Sequence, residues 1–371
     1  MNETRATRYQ RLKRRTGAAA LVSAAAVVGA IALTSAGTGL AGMASQAASG
    51  LGDPMRSVVA LAVFVTLVVV IWEGATLPAT LYLARHVQAR YAGATVSIDE
   101  VLGAHFRAAA VAVPAAFAAA AVVVASRLFF GRWWWLPAAT GVAIGRAALV
   151  VGAPWLLSRL AAVRAIVRPG LADRLAALGE HARVSIQNIL EWTVDEATAA
   201  ALVSGAGRSR RVYISSTLIR DWSDDEIAVV VAHELAHHRF HDLRWTVALD
   251  AVVGLLALAV AAWVVPAYPA ASPDARTAEL AALPVIGLVA GLVWLAATPV
   301  RHALSRRQER RADVFALALT GETAAFGAAI RRLGERYLAE ERPSLLVRWF
   351  YHRHPSVAER LALADAFERL K

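Results

Sequence analysis

Six apolar runs dominate this chain, at about 17–36, 57–83, 108–126, 134–157, 243–268 and 283–300. Each is long enough to cross a bilayer as an α-helix, which needs roughly 20 apolar residues. Hydrophobic residues make up 58% of the sequence and the mean hydropathy is +0.49, which argues against a soluble protein of 371 residues. The expected fold is therefore mainly α: a polytopic helical membrane protein of about six spans. Arg5, Arg8, Arg11, Lys13, Arg14 and Arg15 precede the first run. A signal peptide is the competing reading of that run, but its length favours an uncleaved span with the N-terminus in the cytoplasm.

The net charge of +11 suggests a nucleic-acid partner at first sight. Much of it flanks the apolar runs, where it sets topology, so nucleic-acid binding is not expected. The distribution places both termini, and the block 158–242 between the fourth and fifth runs, on the cytoplasmic side. The expected organisation is a four-span membrane domain over 1–157 and a second domain over 158–371. The latter comprises a small α+β soluble part (158–242), a two-span hairpin (243–300) and a helical C-terminal part (301–371). Glu73, Arg146 and Asp250 fall inside apolar runs. There a charge is costly, and a Glu73–Arg146 pair between the second and fourth spans is the simplest expectation. The alternative is a water-filled cavity. The Trp133–Trp135 triplet reads as an interfacial anchor.

The chemistry concentrates in His233-Glu234-Leu235-Ala236-His237. On a helix, positions i and i+4 share a face, so His233 and His237 can present two imidazole nitrogens to one metal ion, zinc being the usual occupant. Glu234 lies where it can act as general base on water. Ser223 and Glu226 form a capping-box pattern that predicts a helix start just upstream. There are no cysteines, so any metal must be held by histidine and carboxylate.

A catalytic zinc needs a third protein ligand. Glu309 is the best candidate, because the two-span hairpin returns the chain to the side on which His237 left it. Asp313, at i+4 from Glu309, can accept a hydrogen bond from a ligating imidazole. Farther on, His354 can donate to an oxyanion and Arg360 can hold a substrate. His238, His241 and His302 read as solvated or interfacial. Before the metal helix, 171–182 reads as an amphipathic helix. Residues 184–190 and 211–215 alternate like strands, with a turn at 204–207. Such strands either accept a substrate backbone by strand addition or form a plain hairpin.

Together these motifs resemble the type I CaaX prenyl proteases and the HtpX-type proteases, membrane-embedded zinc metallopeptidases. The resemblance covers roughly 77–361 and rests on the His233–His237 motif, Glu309–Asp313, and His354-Pro355-Ser356 with Arg360. It implies one zinc per chain bound by His233, His237 and Glu309. Glu234 would polarise the water, Asp313 support a ligand, His354 stabilise the oxyanion and Arg360 contact the substrate. Two features depart from the family. Ala200-Ala201 stands where an Asn-Ala pair is usual, and six spans are expected where eukaryotic members have seven. The implied activity is cytoplasm-facing endopeptidase hydrolysis of a peptide or membrane-protein substrate, by metal-activated water, in a chain embedded in the lipid bilayer. CaaX-type processing, HtpX-type quality control and cleavage of a single signalling repressor remain alternatives, as does an inactive scaffold.

Overall fold

The structure is a computed structural model that describes residues 4–92, 97–160, 162–193, 199–205, 207–267 and 274–370. In chain order the helices are α1 (Arg5–Leu33), α2 (Ser35–Ala47), α3 (Met55–Tyr82), α4 (Ala89–Ala92), α5 (Ile98–Phe130) and α6 (Trp135–Leu160). A π-helical stretch, Leu83–Gln88, joins α3 to α4. Strand β1 (Ala162–Ala165) and α7 (Pro169–His181) follow, then β2 (Asn188–Thr193), β3 (Ala201–Ser204) and β4 (Arg211–Ser215). The remaining helices are α8 (Ser216–Asp221), α9 (Asp224–Arg239), α10 (Asp242–Val264), α11 (Ala275–Thr320), α12 (Thr323–Arg336), α13 (Leu345–Tyr351) and α14 (Val357–Glu368).

The protein is a polytopic helical membrane protein. Among the described residues, five helices are long and apolar enough to cross a membrane by length and composition. They are α1, α3 with its continuation to Tyr91, α5 with the turn to Trp133, α10, and α11. The expected fourth span coincides with α6, many of whose side chains lie outside the described residues. The first apolar run does not continue as one helix to residue 36. Thr34 is extended (φ −127°, ψ 176°), ends α1 and caps α2 by accepting from the Ala36 amide. Part of the loop expected after the fifth span lies outside the described residues.

The chain divides into two compact units, Met1–Ile144 with Asp250–Ala297, and Gly145–Leu249 with Thr298–Lys371. In the first, Ala41 and Ala44 of α2, with Ala48 just past its end, pack with Ala60, Leu61, Phe64 and Val65 of α3. Small side chains let two apolar helices approach closely where no water is expelled. A second cluster joins Trp134, Ala138 and Ala139 to Leu258 and Ala261 of α10 and to Ala282, Val285 and Ile286 of α11. Glu73 lies against His105 of α5, carboxylate to Nδ1 at 2.6 Å, a partner other than the expected Arg146.

The second unit holds a four-stranded sheet in the order β1-β2-β4-β3. Of the two readings of 184–190 and 211–215, the plain hairpin does not form. β2 begins only at Asn188 and runs parallel to β4, with Asn188 opposite Arg211. β3 intervenes in sequence, pairs antiparallel with β4 and forms an edge of the sheet. The turn falls after β3, at Gly205, where φ is 109° and a Cβ would meet the Ser209 carbonyl at 2.6 Å. Only glycine fits both constraints.

Helix α9 is the centre of this unit. Ile227, Val231 and Leu235 recur every four residues and enter a core with Leu171, Leu175, Val212, Ile214 and Leu218. Val229 joins Leu317, Phe326, Ile330 and Ala364 on another side. Its start is fixed by the capping box: Ser223 Oγ accepts from the Glu226 amide, and the Glu226 carboxylate accepts from the Ser223 amide. Arg332 donates to that carboxylate as well, at 2.9 Å. Ser223→Ala should lower stability by about 1 kcal/mol, read as a lower Tm in detergent without loss of helical signal.

Candidate metal centre

With α9 held by its cap and core, His233 and His237 project from it one turn apart, their Nε2 atoms 3.3 Å from each other. Each ring is fixed by its other nitrogen. His233 Nδ1 lies 2.9 Å from Asp313 Oδ1, and His237 Nδ1 lies 2.9 Å from Asp242 Oδ2. An ionised carboxylate only accepts, so each Nδ1 carries the hydrogen and each Nε2 presents a lone pair. Glu309 closes the group: Oε2 is 3.2 Å from His233 Nε2, and Oε1 is 3.6 Å from His237 Nε2. One donor atom from each of the three residues falls within 4.8 Å of the other two.

Two lone pairs and a carboxylate pointing at one another repel unless a cation lies among them. Glu309 Oε2 is also buried without a hydrogen-bond partner, although the imidazoles of His233 and His354 lie 3.2 and 2.8 Å from it. The residues present therefore fit a metal ion, and their nitrogen and oxygen donors suit zinc. Without a cation the same surroundings favour a proton. Burial works to lower the His233 pKa, but the carboxylates of Asp313 and Glu309 outweigh it and push it up to about 9.

The orienting carboxylates are themselves held. Arg360 donates to both oxygens of Asp313, at 2.8 Å from Nε and 2.5 Å from Nη2. Asp313 is completely buried. Asp242 accepts from Arg311, and its backbone carbonyl accepts from Gln308 Nε2 at 3.1 Å. The Arg311 guanidinium also lies over the Phe240 ring, 4.2 Å from its centroid. Asp242 reaches His237 because only Phe240 and His241 separate α9 from α10, and His241 adopts φ 57°. A non-glycine residue in the left-handed region is uncommon and turns the chain sharply here.

The structure thus brings together His233, His237, Glu309 and Asp313, with His354 Nδ1 2.8 Å from Glu309 Oε2 and its side chain largely exposed. Glu234 makes no hydrogen bond among the described residues, and burial raises its pKa. Arg360, expected to contact substrate, is engaged by Asp313. Asp242 was not anticipated, although an aspartate five residues after the second histidine was visible. His238 is not solvated: its Nε2 lies 2.8 Å from the Val203 carbonyl and its Nδ1 accepts from Arg210 Nε at 3.2 Å. It ties the edge strand β3 to α9, and burial lowers its pKa. Ala201 opens that strand, preceded by Ala200, whose amide donates to Ser215 Oγ.

A family model described as "Peptidase family M48" matches residues 171–368, and the chain belongs to that family. It is 28% identical over 209 residues to "Uncharacterized metalloprotease YhfN" of Bacillus subtilis (strain 168), covering 53% of this chain and 48% of that one. A "Protease HtpX homolog" of Campylobacter concisus (strain 13826) is 30% identical over 169 residues, 44% of this chain and 56% of that one. Another, from Bacteroides fragilis (strain YCH46), is 27% identical over 145 residues, 38% and 45% of the two chains. The chain spans about half the length of the curated relatives it matches. Its fold is similar to the "Crystal Structure of S. mikatae Ste24p", with a TM-score of 0.73 at 15% identity, covering 88% of this chain and 80% of that one.

Two outcomes test the geometry. Asp242→Asn and Asp313→Asn should each weaken metal affinity roughly 10–100-fold, measured by competition with a chromophoric chelator. His233, protonated below about 9 in the ion-free state, must lose that proton to bind metal. Affinity should therefore rise with pH through neutrality, with proton release visible as a buffer-dependent binding enthalpy.

Proposed function

We propose that this protein is a membrane-embedded, zinc-dependent endopeptidase that binds one zinc ion per chain through His233, His237 and Glu309. The observation that carries this reading is the convergence of two carboxylate-oriented imidazoles and a buried, unbonded glutamate oxygen. Membership of peptidase family M48 supports it. Zinc held there would supply a Lewis acid that acidifies water at neutral pH and polarises a carbonyl.

The chain's own residues do the rest. Glu234 has a free carboxylate beside the ligands, accepts a proton from water and delivers it to the departing amine nitrogen. Burial raises its pKa, which strengthens it as a base. His354, exposed beside Glu309, donates a hydrogen bond to the oxyanion that forms at the scissile carbonyl. Arg360 acts through Asp313, neutralising and fixing the carboxylate that orients His233.

Substrates on this reading are peptides or membrane proteins. Names of sequence relatives favour an HtpX-type protease over CaaX-type processing, since several are called HtpX homologues. The basic segments before α1 and after residue 300 support a cytoplasmic site and cytoplasmic termini.

Glu234→Gln in detergent or nanodiscs is the test. It should keep about one zinc per chain and lose cleavage of a quenched peptide by roughly 100-fold or more. Full cleavage by this variant would exclude Glu234 as the base.

A further inference from the structure

Helix α13 has an apolar face that nothing in the described protein covers. Leu345 and Leu346 are each 67% exposed, Trp349 48% and Phe350 38%. Leu345 and Trp349, like Leu346 and Phe350, are four residues apart, so the four share one side of the helix. Arg348, off that side, pairs with Glu359 of α14 at 2.9 Å.

The backbone of α13 is pinned at a defined level along α11. Arg306 Nη1 donates to the carbonyls of Arg348 and His352, both at 2.8 Å, and His302 Nδ1 lies 3.0 Å from the Trp349 carbonyl. These cationic or polar groups satisfy the unpaired carbonyls at the helix's negative end. Residues 280–300 of α11 contain no charge, and Arg301 is the first basic residue after them. At ~1.5 Å per residue that run is about 30 Å long, the thickness of a bilayer's hydrocarbon core. His302 and Arg306 therefore lie within roughly 10 Å beyond the core, in the headgroup zone.

Apolar and aromatic side chains exposed at that depth belong in an interfacial belt. One charge agrees: Arg353, just past the end of α13, is exposed and makes no salt bridge among the described residues, whereas Arg342 before the helix follows Glu340 and Glu341. An exposed guanidinium at the end of an apolar helix suits a lipid phosphate.

We propose that α13 is a membrane-interface helix, seated with Leu345, Leu346, Trp349 and Phe350 in the headgroup–acyl boundary and with Arg353 on a lipid phosphate. Because Tyr351 at its end leads directly to His354, this seat holds the His354 loop at the bilayer surface. The lipid contact does not depend on the peptidase reading.

The chain has no cysteine, so single spin labels can be placed cleanly. Leu346→Cys, and Glu335→Cys on the exposed side of α12 as reference, are labelled in the full chain in nanodiscs of phosphatidylcholine and phosphatidylglycerol. Accessibility to oxygen and to an aqueous nickel chelate is then read. The label at 346 should report a depth of about 5–10 Å below the phosphates, and the label at 335 full aqueous exposure. Nickel accessibility at 346 equal to that at 335 overturns the proposal. Shielding of 346 from both reagents also overturns it, because it places a second copy or another protein there. Hydroxyl-radical footprinting of Trp349 in the unsubstituted chain guards against misfolding: protection should match that of other lipid-facing tryptophans, and solvent-like oxidation contradicts the seat.

Discussion

Two hydrogen bonds govern the second unit: His233 Nδ1 to Asp313, and His237 Nδ1 to Asp242. They select the tautomer of each ring and so decide that both Nε2 lone pairs face inward, towards Glu309. Much of the surrounding structure serves these two bonds. Arg360 and Arg311 hold the carboxylates, the left-handed turn at His241 brings Asp242 within reach, and the core behind α9 keeps the histidine face from rotating. A carboxylate buried as deeply as Asp313 is tolerable only because it meets a guanidinium on one side and an imidazole N–H on the other.

Helix α11 links this arrangement to the membrane. The same uninterrupted helix, Ala275–Thr320, carries an uncharged run and then Glu309 and Asp313. Glu309 and Asp313 therefore sit on a helix, with no loop between them and the uncharged run. Short flexible connections would leave the Glu309 carboxylate to find the imidazoles at an entropic cost, and a continuous helix removes most of that cost in advance.

What the sequence disclosed, and what it hid, follows from range. The capped helix with His233, Glu234 and His237 was legible because capping and i, i+4 spacing are local. The Glu309–Asp313 pair was legible for the same reason. Asp242 escaped because its approach depends on a backbone turn at His241 that no propensity announces. The bond between Arg360 and Asp313 joins separate helices, so spacing could not announce it. Strand register was hidden likewise: alternation located β4, but a parallel β2–β4 pairing with β3 at the edge is a long-range choice. Glu73 found His105 because the sequence alone could not say which helix would lie beside α3.

The central claim is that the two oriented imidazoles and Glu309 share one cation. The most direct measurement is X-ray absorption at the zinc edge on the purified full-length chain, reconstituted with one equivalent of zinc. The account predicts two imidazole nitrogens at about 2.0–2.1 Å and carboxylate or water oxygens at about 2.0–2.2 Å in a four-coordinate shell. A shell without imidazole scattering, or a zinc coordinated by oxygen alone, would contradict it.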